Sequence, residues 1–283
     1  MENIFDVIII ASAYPAGMYA SRYKLKNLII AMPGALATSH KVENYPGTIS
    51  APKQIMENFK EHALVSGSEI LSEMVTEVTK NEDFFVVKTS SGKIFESKKV
   101  ILATNNYRKL IPEKEFLKVS YCATCDGMFF RNRDVIIVGG NTAVTESLYL
   151  ADICKKVYLV HRKNEFNAEQ TWVEQAKKRE NIEFVLEEEV AEVVDALMTV
   201  NLKSGKKLQA DGIFIAISIP NTSIVENFDL EKDEECLVVD KRQETSMKLY
   251  AADVTTNSNK FKQTIMSAAE CLAANSVHED LLK

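Results

Sequence analysis

The sequence predicts an α/β protein of two related domains, the second inserted into the first, and three observations carry that prediction. Short β-branched runs lead through small-residue turns into amphipathic stretches, the pattern of buried parallel strands joined by crossover helices. This pattern occurs twice, at Asp6–Ile10 and at Asp134–Val138. Each occurrence is followed by a meander hairpin and a returning apolar strand, and the first needs the last strand and helix of the chain to close it.

In chain order, the strand Asp6–Ile10 runs through Ala11-Ser12-Ala13 into a helix expected over Met18–Leu25, and Leu28–Ile30 forms the next strand. Phe84–Lys88, a Ser91-Gly92 turn, Ile94 and the strand Val100–Thr104 make the hairpin and its return. The second domain repeats the scheme: Asp134–Val138, Gly139-Gly140, a helix over Thr142–Cys154, and the strand Val157–Val160. Met198–Leu202, Ser204-Gly205, Leu208 and Ile213–Ile217 then supply its meander and return. Leu249–Asp253 and a helix from about Phe261 to Val277 belong with the first domain. The expected domains are residues 1–115 with 246–283, and residues 116–245. The crossings fall in the polar, unpatterned stretches Glu113–Lys118 and Glu244–Lys248.

At 283 residues, 46% hydrophobic and 26% charged, the chain can bury the cores of two ordinary domains and is expected to be a soluble globular protein. A net charge of -6 with scattered Lys and Arg leaves no basic footprint, so no nucleic-acid partner is expected. No apolar run approaches the roughly 18 residues of a membrane span, and Met1–Asp6 lacks a basic start, so no membrane association and a cytoplasmic location are expected. Cys154, Cys236 and Cys271 have no neighbours in sequence and read as small buried apolar residues rather than a secreted disulfide framework. Glu187-Glu188-Glu189 reads as a solvated face.

Two constellations carry chemistry. Cys122-Ala-Thr-Cys125, followed by Asp126-Gly127, is a dithiol at the spacing that cycles between disulfide and thiols. Half of a zinc site is the competing reading; it is weakened by the lack of a second cysteine pair and by the dispersal of His40, His62, His161 and His278. Gly139-Gly140-Asn141-Thr142 follows a strand and opens a helix whose terminal amides can receive a pyrophosphate. His161-Arg162-Lys163 ends the next strand about 20 residues on, where a 2′-phosphate needs cations. Surface charge is the plain alternative there.

Val119-Ser-Tyr-Cys122-Ala-Thr-Cys125-Asp126-Gly127-Met-Phe-Phe130 resembles the low-molecular-weight thioredoxin reductases, and so does nearly the whole chain. Further matches are Val42-Glu-Asn-Tyr-Pro-Gly47, Asn141-Thr-Ala-Val144, Glu146-Ser-Leu-Tyr-Leu150, Val160-His-Arg162, Pro220-Asn-Thr222 and Lys262-Gln263. The resemblance implies two Rossmann-like, three-layer ββα domains, FAD in the first, NADPH in the inserted one, and a homodimer that reduces a thioredoxin-like protein. Electrons would pass from NADPH through FAD to the Cys122/Cys125 disulfide and on to thioredoxin, with one domain rotating against the other about two linkers. Cys122 would attack the partner, Cys125 would face the flavin, and Asp126 would move the proton; a turn-stabilising role before Gly127 is the plain reading of Asp126. FAD would meet Ala11, Ser12, Ala13, Gly34, Leu36, Asn44, Asp253, Lys262 and Gln263. Asn44 is otherwise a turn residue and Asp253 a cap. NADPH would meet Gly139, Gly140, Asn141, Thr142, His161, Arg162 and Lys163. Asn167 stands where the family usually has a second arginine, which weakens the case for tight NADPH selection. A ferredoxin-type electron donor, or a flavin-free binding module, would account for a degenerate nucleotide signature. Alkyl hydroperoxide reductase flavoproteins share this architecture behind an extra N-terminal region, for which a first strand at Asp6 is expected to leave no room.

The departure from that family is patterned. Ten glycines in 283 residues is about half of the usual roughly 7%. The family's first turn is Gly-x-Gly-x-x-Gly, whereas here it reads Ile10-Ala11-Ser12-Ala13-Tyr14-Pro15-Ala16-Gly17. Matching Pro15-Ala16-Gly17 to the family's Pro-Ala-Gly leaves the helix about a turn short. Restoring a glycine before Ala11, between Ala11 and Ser12, and between Ala13 and Tyr14 recovers motif and helix together. The same restoration fits after Thr104, Leu110 and Gly140, between Ile217 and Ser218, and between Ala252 and Asp253. The expectation is either a degenerate flavin site or a polypeptide with more glycines than the sequence shows.

Overall fold

The computed structural model describes residues 4–32, 45, 52–104, 106–108, 118–193, 199–257 and 264–283. The chain divides into two compact units, Met1–Asn106 with Pro220–Lys283, and Tyr107–Ile219 between them.

The first unit opens with β1 (Ile4–Ile10), α1 (Tyr14–Arg22), β2 (Asn27–Ile30), α2 (Pro52–Ser66), β3 (Glu69–Leu71), β4 (Val75–Lys80), β5 (Phe85–Thr89) and β6 (Ile94–Leu102). Its strands run in the order β3-β2-β1-β6-β5-β4. β1 lies parallel to β2 and β6, while β4 and β5 pair antiparallel. Val7 to Ile10 are buried on both faces, as a central parallel strand requires. Val7 and Ile9 pack with Ala16 and Ala20 of α1, and Ile8 and Ile10 pack with Val78, Phe85 and Val87 of the meander. α1 lies close to the sheet because Gly17 has no Cβ, which would stand 2.4 Å from Ile29. The helix begins at Tyr14 rather than at Met18, with Pro15 in the first turn, where a missing N–H breaks no intrahelical bond.

After β7 (Asn106–Arg108), the second unit contains β8 (Val119–Ser120), α3 (Ala123–Asp126), β9 (Asp134–Gly139), α4 (Asn141–Ala151), β10 (Lys156–His161), α5 (Gln170–Lys177) and β11 (Ile182–Leu186). β12 (Val190–Val193), β13 (Thr199–Leu202), β14 (Lys207–Gln209) and β15 (Gly212–Ala216) follow. The sheet β11-β10-β9-β15-β8 is parallel throughout, and β12-β13-β14 is an antiparallel meander. Alternate residues of β9 separate two cores. Val135 and Ile137 pack with Val144 and Leu150 of α4, and Ile136 packs with Val200 and Leu208 of the meander. Each unit is therefore helix, parallel sheet and meander, as the sequence predicts.

β16 (Ser218–Pro220) pairs with β7, and the chain then returns through β17 (Lys232–Asp233), β18 (Cys236–Leu237), β19 (Tyr250–Ala251) and α6 (Thr264–Leu281). β19 adds to the C-terminal half of β6, opposite Ile101 and Leu102. The return comes at Pro220 and not near residue 246. Ile224, Val225 and Leu237 are buried with Phe5 and Val78 in the first unit, which places residues 220–245 there. Just before the polar stretch Glu244–Lys248, Arg242 donates to Asp280 at 2.7 Å and to the Ser276 carbonyl at 3.1 Å, both on α6. On the outgoing side the units part at Asn106, ahead of the expected 113–118, of which 113–117 lie outside the described residues.

Candidate functional site

The dithiol sits where β8 turns into α3, and the local sequence dictates its geometry. Cys122 is the N-cap of α3, and its Sγ accepts the Cys125 N–H at 3.2 Å. The two sulfurs form a disulfide with Cα atoms 5.3 Å apart. The Asp126 N–H donates to the Cys122 carbonyl at 3.1 Å. Ser120, which sequence reading missed, accepts the Cys122 N–H at 3.1 Å and donates to Asp126 Oδ2 at 2.7 Å. One hydroxyl thus ties the dithiol backbone to the carboxylate. Its only sequence signal is a serine two residues before a capping cysteine. Gly127 packs against α4, where a Cβ would stand 3.2 Å from both Leu150 and Tyr149. Cys125 is exposed, Cys122 and Asp126 are half-buried, and Met128 and Phe129 project into solvent, Phe129 at 78% exposure.

The predicted NADPH residues gather at the carboxyl ends of β9 and β10, the edge at which open parallel sheets bind ligands. A Cβ on Gly139 would lie 2.6 Å from the Ala216 carbonyl oxygen, so only glycine permits this approach to β15. Asn141 and Thr142 form the first turn of α4, whose cap, Gly140, offers no side chain to its amides. These amides fit an incoming pyrophosphate. His161 faces the Gly139 carbonyl with Nδ1 at 2.7 Å and the Glu165 carbonyl with Nε2 at 3.1 Å, and stacks on Phe166. It secures the loop, leaving Arg162 and Lys163 exposed as the cationic pair.

The corresponding turn of the first unit does not fit a pyrophosphate. Ala11 is left-handed, with φ 75°, and its N–H is taken by the Ile30 carbonyl. Ser12 donates to the Met32 carbonyl at 3.1 Å and accepts the Tyr14 N–H through its own carbonyl at 2.8 Å. Ala13 is buried in the core. Two of the turn's amides, those of Ala11 and Tyr14, are therefore already taken. Asp253 follows β19, buried and also left-handed at φ 63°, with its carboxylate on the N–H of Val254. Gly34, Leu36, Asn44, Lys262 and Gln263 lie outside the described residues.

Comparison with known proteins places this arrangement. The family model described as pyridine nucleotide-disulphide oxidoreductase matches residues 5–274. A bifunctional thioredoxin reductase/thioredoxin of Mycobacterium leprae is 34% identical over 96% of this chain, which spans 65% of that longer protein. A thioredoxin reductase of Rickettsia felis is 32% identical and matched end to end. Its alignment has 313 positions for 283 residues here, so about 30 positions have no counterpart in this chain. The crystal structure of T. acidophilum thioredoxin reductase superposes with a TM-score of 0.86 at 28% identity, covering all of both chains. With its two ββα units, its nucleotide edge and its paired cysteines, the chain belongs to the pyridine nucleotide-disulphide oxidoreductase family.

Proposed function

We propose that this protein is an NADPH-dependent thioredoxin-disulfide reductase with FAD and NADPH as its cofactors. The observation that carries the reading is the Cys122–Cys125 disulfide beside Asp126, on a surface where Met128 and Phe129 offer a partner protein apolar contact. FAD and NADPH would supply the hydride and electron chemistry when bound, the flavin only once the first turn opens to its pyrophosphate, and this chain contributes the thiols, their orientation and a proton site.

Once reduced, the pair transfers two electrons by exchange. The Cys122 thiolate attacks one sulfur of the partner disulfide, the partner's S–S bond breaks, and one partner thiolate leaves. The Cys125 thiolate then attacks Cys122 Sγ, which re-forms the 122–125 bond and releases the second partner thiol. The amide on Cys122 Sγ stabilises its thiolate, which supports its assignment as nucleophile, although Cys125 is the more exposed residue. Asp126, oriented by Ser120, holds or delivers the proton that each thiol exchanges. The working form in this proposal is a cytoplasmic homodimer. Among the described residues no helix is long and apolar enough to cross a membrane.

The test is NADPH oxidation by flavin-loaded protein in the presence of oxidised thioredoxin. Cys122→Ser and Cys125→Ser each abolish turnover, and Cys125→Ser accumulates a mixed disulfide through Cys122. Trapping through Cys125 instead reverses the two roles, and a thioredoxin-independent flavoprotein reduced only by ferredoxin overturns the function.

A further inference from the structure

We infer that the natural polypeptide carries glycines that the written sequence lacks, at the first strand-to-helix turn, after Gly140 and before Asp253. Backbone conformation supplies one line of support. Eight non-glycine residues have positive φ; Lys24, Asn132, Glu187, Glu234 and Lys248 are exposed polar turn residues, and Gln243 is a buried polar one. Ala11 is different in kind. It has no polar side chain to support a left-handed backbone, and it directly follows β1, whose counterpart in the second unit ends in Gly139. Asp253 is also buried and left-handed, just after β19, another strand end at which a glycine is inferred.

Sequence arithmetic points the same way. Three added glycines convert the first turn to Gly-Ala11-Gly-Ser12-Ala13-Gly, and one added after Gly140 gives Gly139-Gly140-Gly-Asn141-Thr142-Ala143. Both then satisfy the dinucleotide pattern Gly-x-Gly-x-x-Gly/Ala, which neither meets as written. About 30 positions of a full-length relative are unmatched here, and ten glycines are half of what a chain of this length carries. Random deletion has no means of choosing one residue type at turns. A codon that the standard table leaves without an amino acid, and that this organism's ribosomes read as glycine, removes that residue alone.

Tryptic peptide masses of the protein from its own organism decide the matter, independently of any activity. The peptide of residues 1–22 is expected to be heavier by three glycine residues, and those of 134–155 and 249–260 by one each. The peptide of residues 119–131, which contains the dithiol, keeps its written mass and serves as the control. Peptides 1–22 and 134–155 at their written masses overturn the inference, as does genomic DNA with an uninterrupted frame and no extra codon between Ile10 and Tyr14.

Discussion

Cys154 and Cys271 show why only one cysteine pair is chemically available. Burial, reinforced by the nearby Asp134, pushes the Cys154 thiol up to about 11, and burial with Glu270 pushes Cys271 up to about 12. Burial also raises Cys236. After reduction at pH 8, iodoacetamide should therefore label Cys122 and Cys125 and leave the other three until the protein unfolds. Labelling of Cys154 in the folded protein would contradict the burial argument. Ser120 is a positioning residue: Ser120→Ala is expected to lower thiol-exchange turnover roughly tenfold and shift its pH profile while leaving the nucleotide sites intact. An unchanged pH profile would make its contact with Asp126 merely structural. The dithiol was legible in the sequence because its chemistry is local, two thiols one helical turn apart. Ser120 was not, because its role exists only once β8 and α3 fold the hydroxyl back over both groups. His161 was legible as part of a cationic edge, but its use as a loop anchor depends on carbonyls from two different segments.

At the scale of elements, α6 is fixed by a charge knot around Asp280. Burial opposes ionisation of Asp280, yet hydrogen bonds from Tyr250, Arg242 and Lys283 and the charge of Lys99 hold its carboxyl well below the ordinary range. Because its folded pKa is depressed, its contribution is present above the unfolded value near 3.8 and is lost as pH falls through the folded one. Asp280→Asn is expected to destabilise the first unit by about 3 kcal/mol at pH 7, with the difference shrinking in acid, as read by urea melts. Glu270 has the opposite sign. Burial and Asp253 raise its pKa well above 4.5, so the penalty is absent below about 4.5 and grows as pH rises. In protein made from the written sequence, Glu270→Gln should stabilise at pH 7 and be neutral at pH 4. Failure to stabilise would place Glu270 in water. The parallel strands were readable from β-branched runs because both of their faces are buried. Residues 220–245 misled because their few apolar anchors, Ile224, Val225 and Leu237, are spaced without period, and Arg242 near their end pairs with a helix distant in sequence.

For the whole molecule, the proposed reaction needs the dithiol of the second unit to meet flavin held by the first. A cross-link that stiffens the β7–β16 crossing is expected to slow thioredoxin reduction several-fold while flavin content stays constant. Equal turnover would remove domain motion from the scheme. The domain order was legible because each unit repeats one grammar, whereas the junctions were not, since strands as short as β7 and β16 leave no pattern in composition. Their pairing has a consequence for how the insertion is tolerated. The outgoing β7 and returning β16 are hydrogen-bonded neighbours, about 4.8 Å apart, so the first unit needs only a short bridge where residues 109–217 now intervene. Excising residues 109–217, which keeps both strands, and bridging their ends should leave a module that folds alone, which makes the inserted unit a removable cassette rather than a structural support for its host.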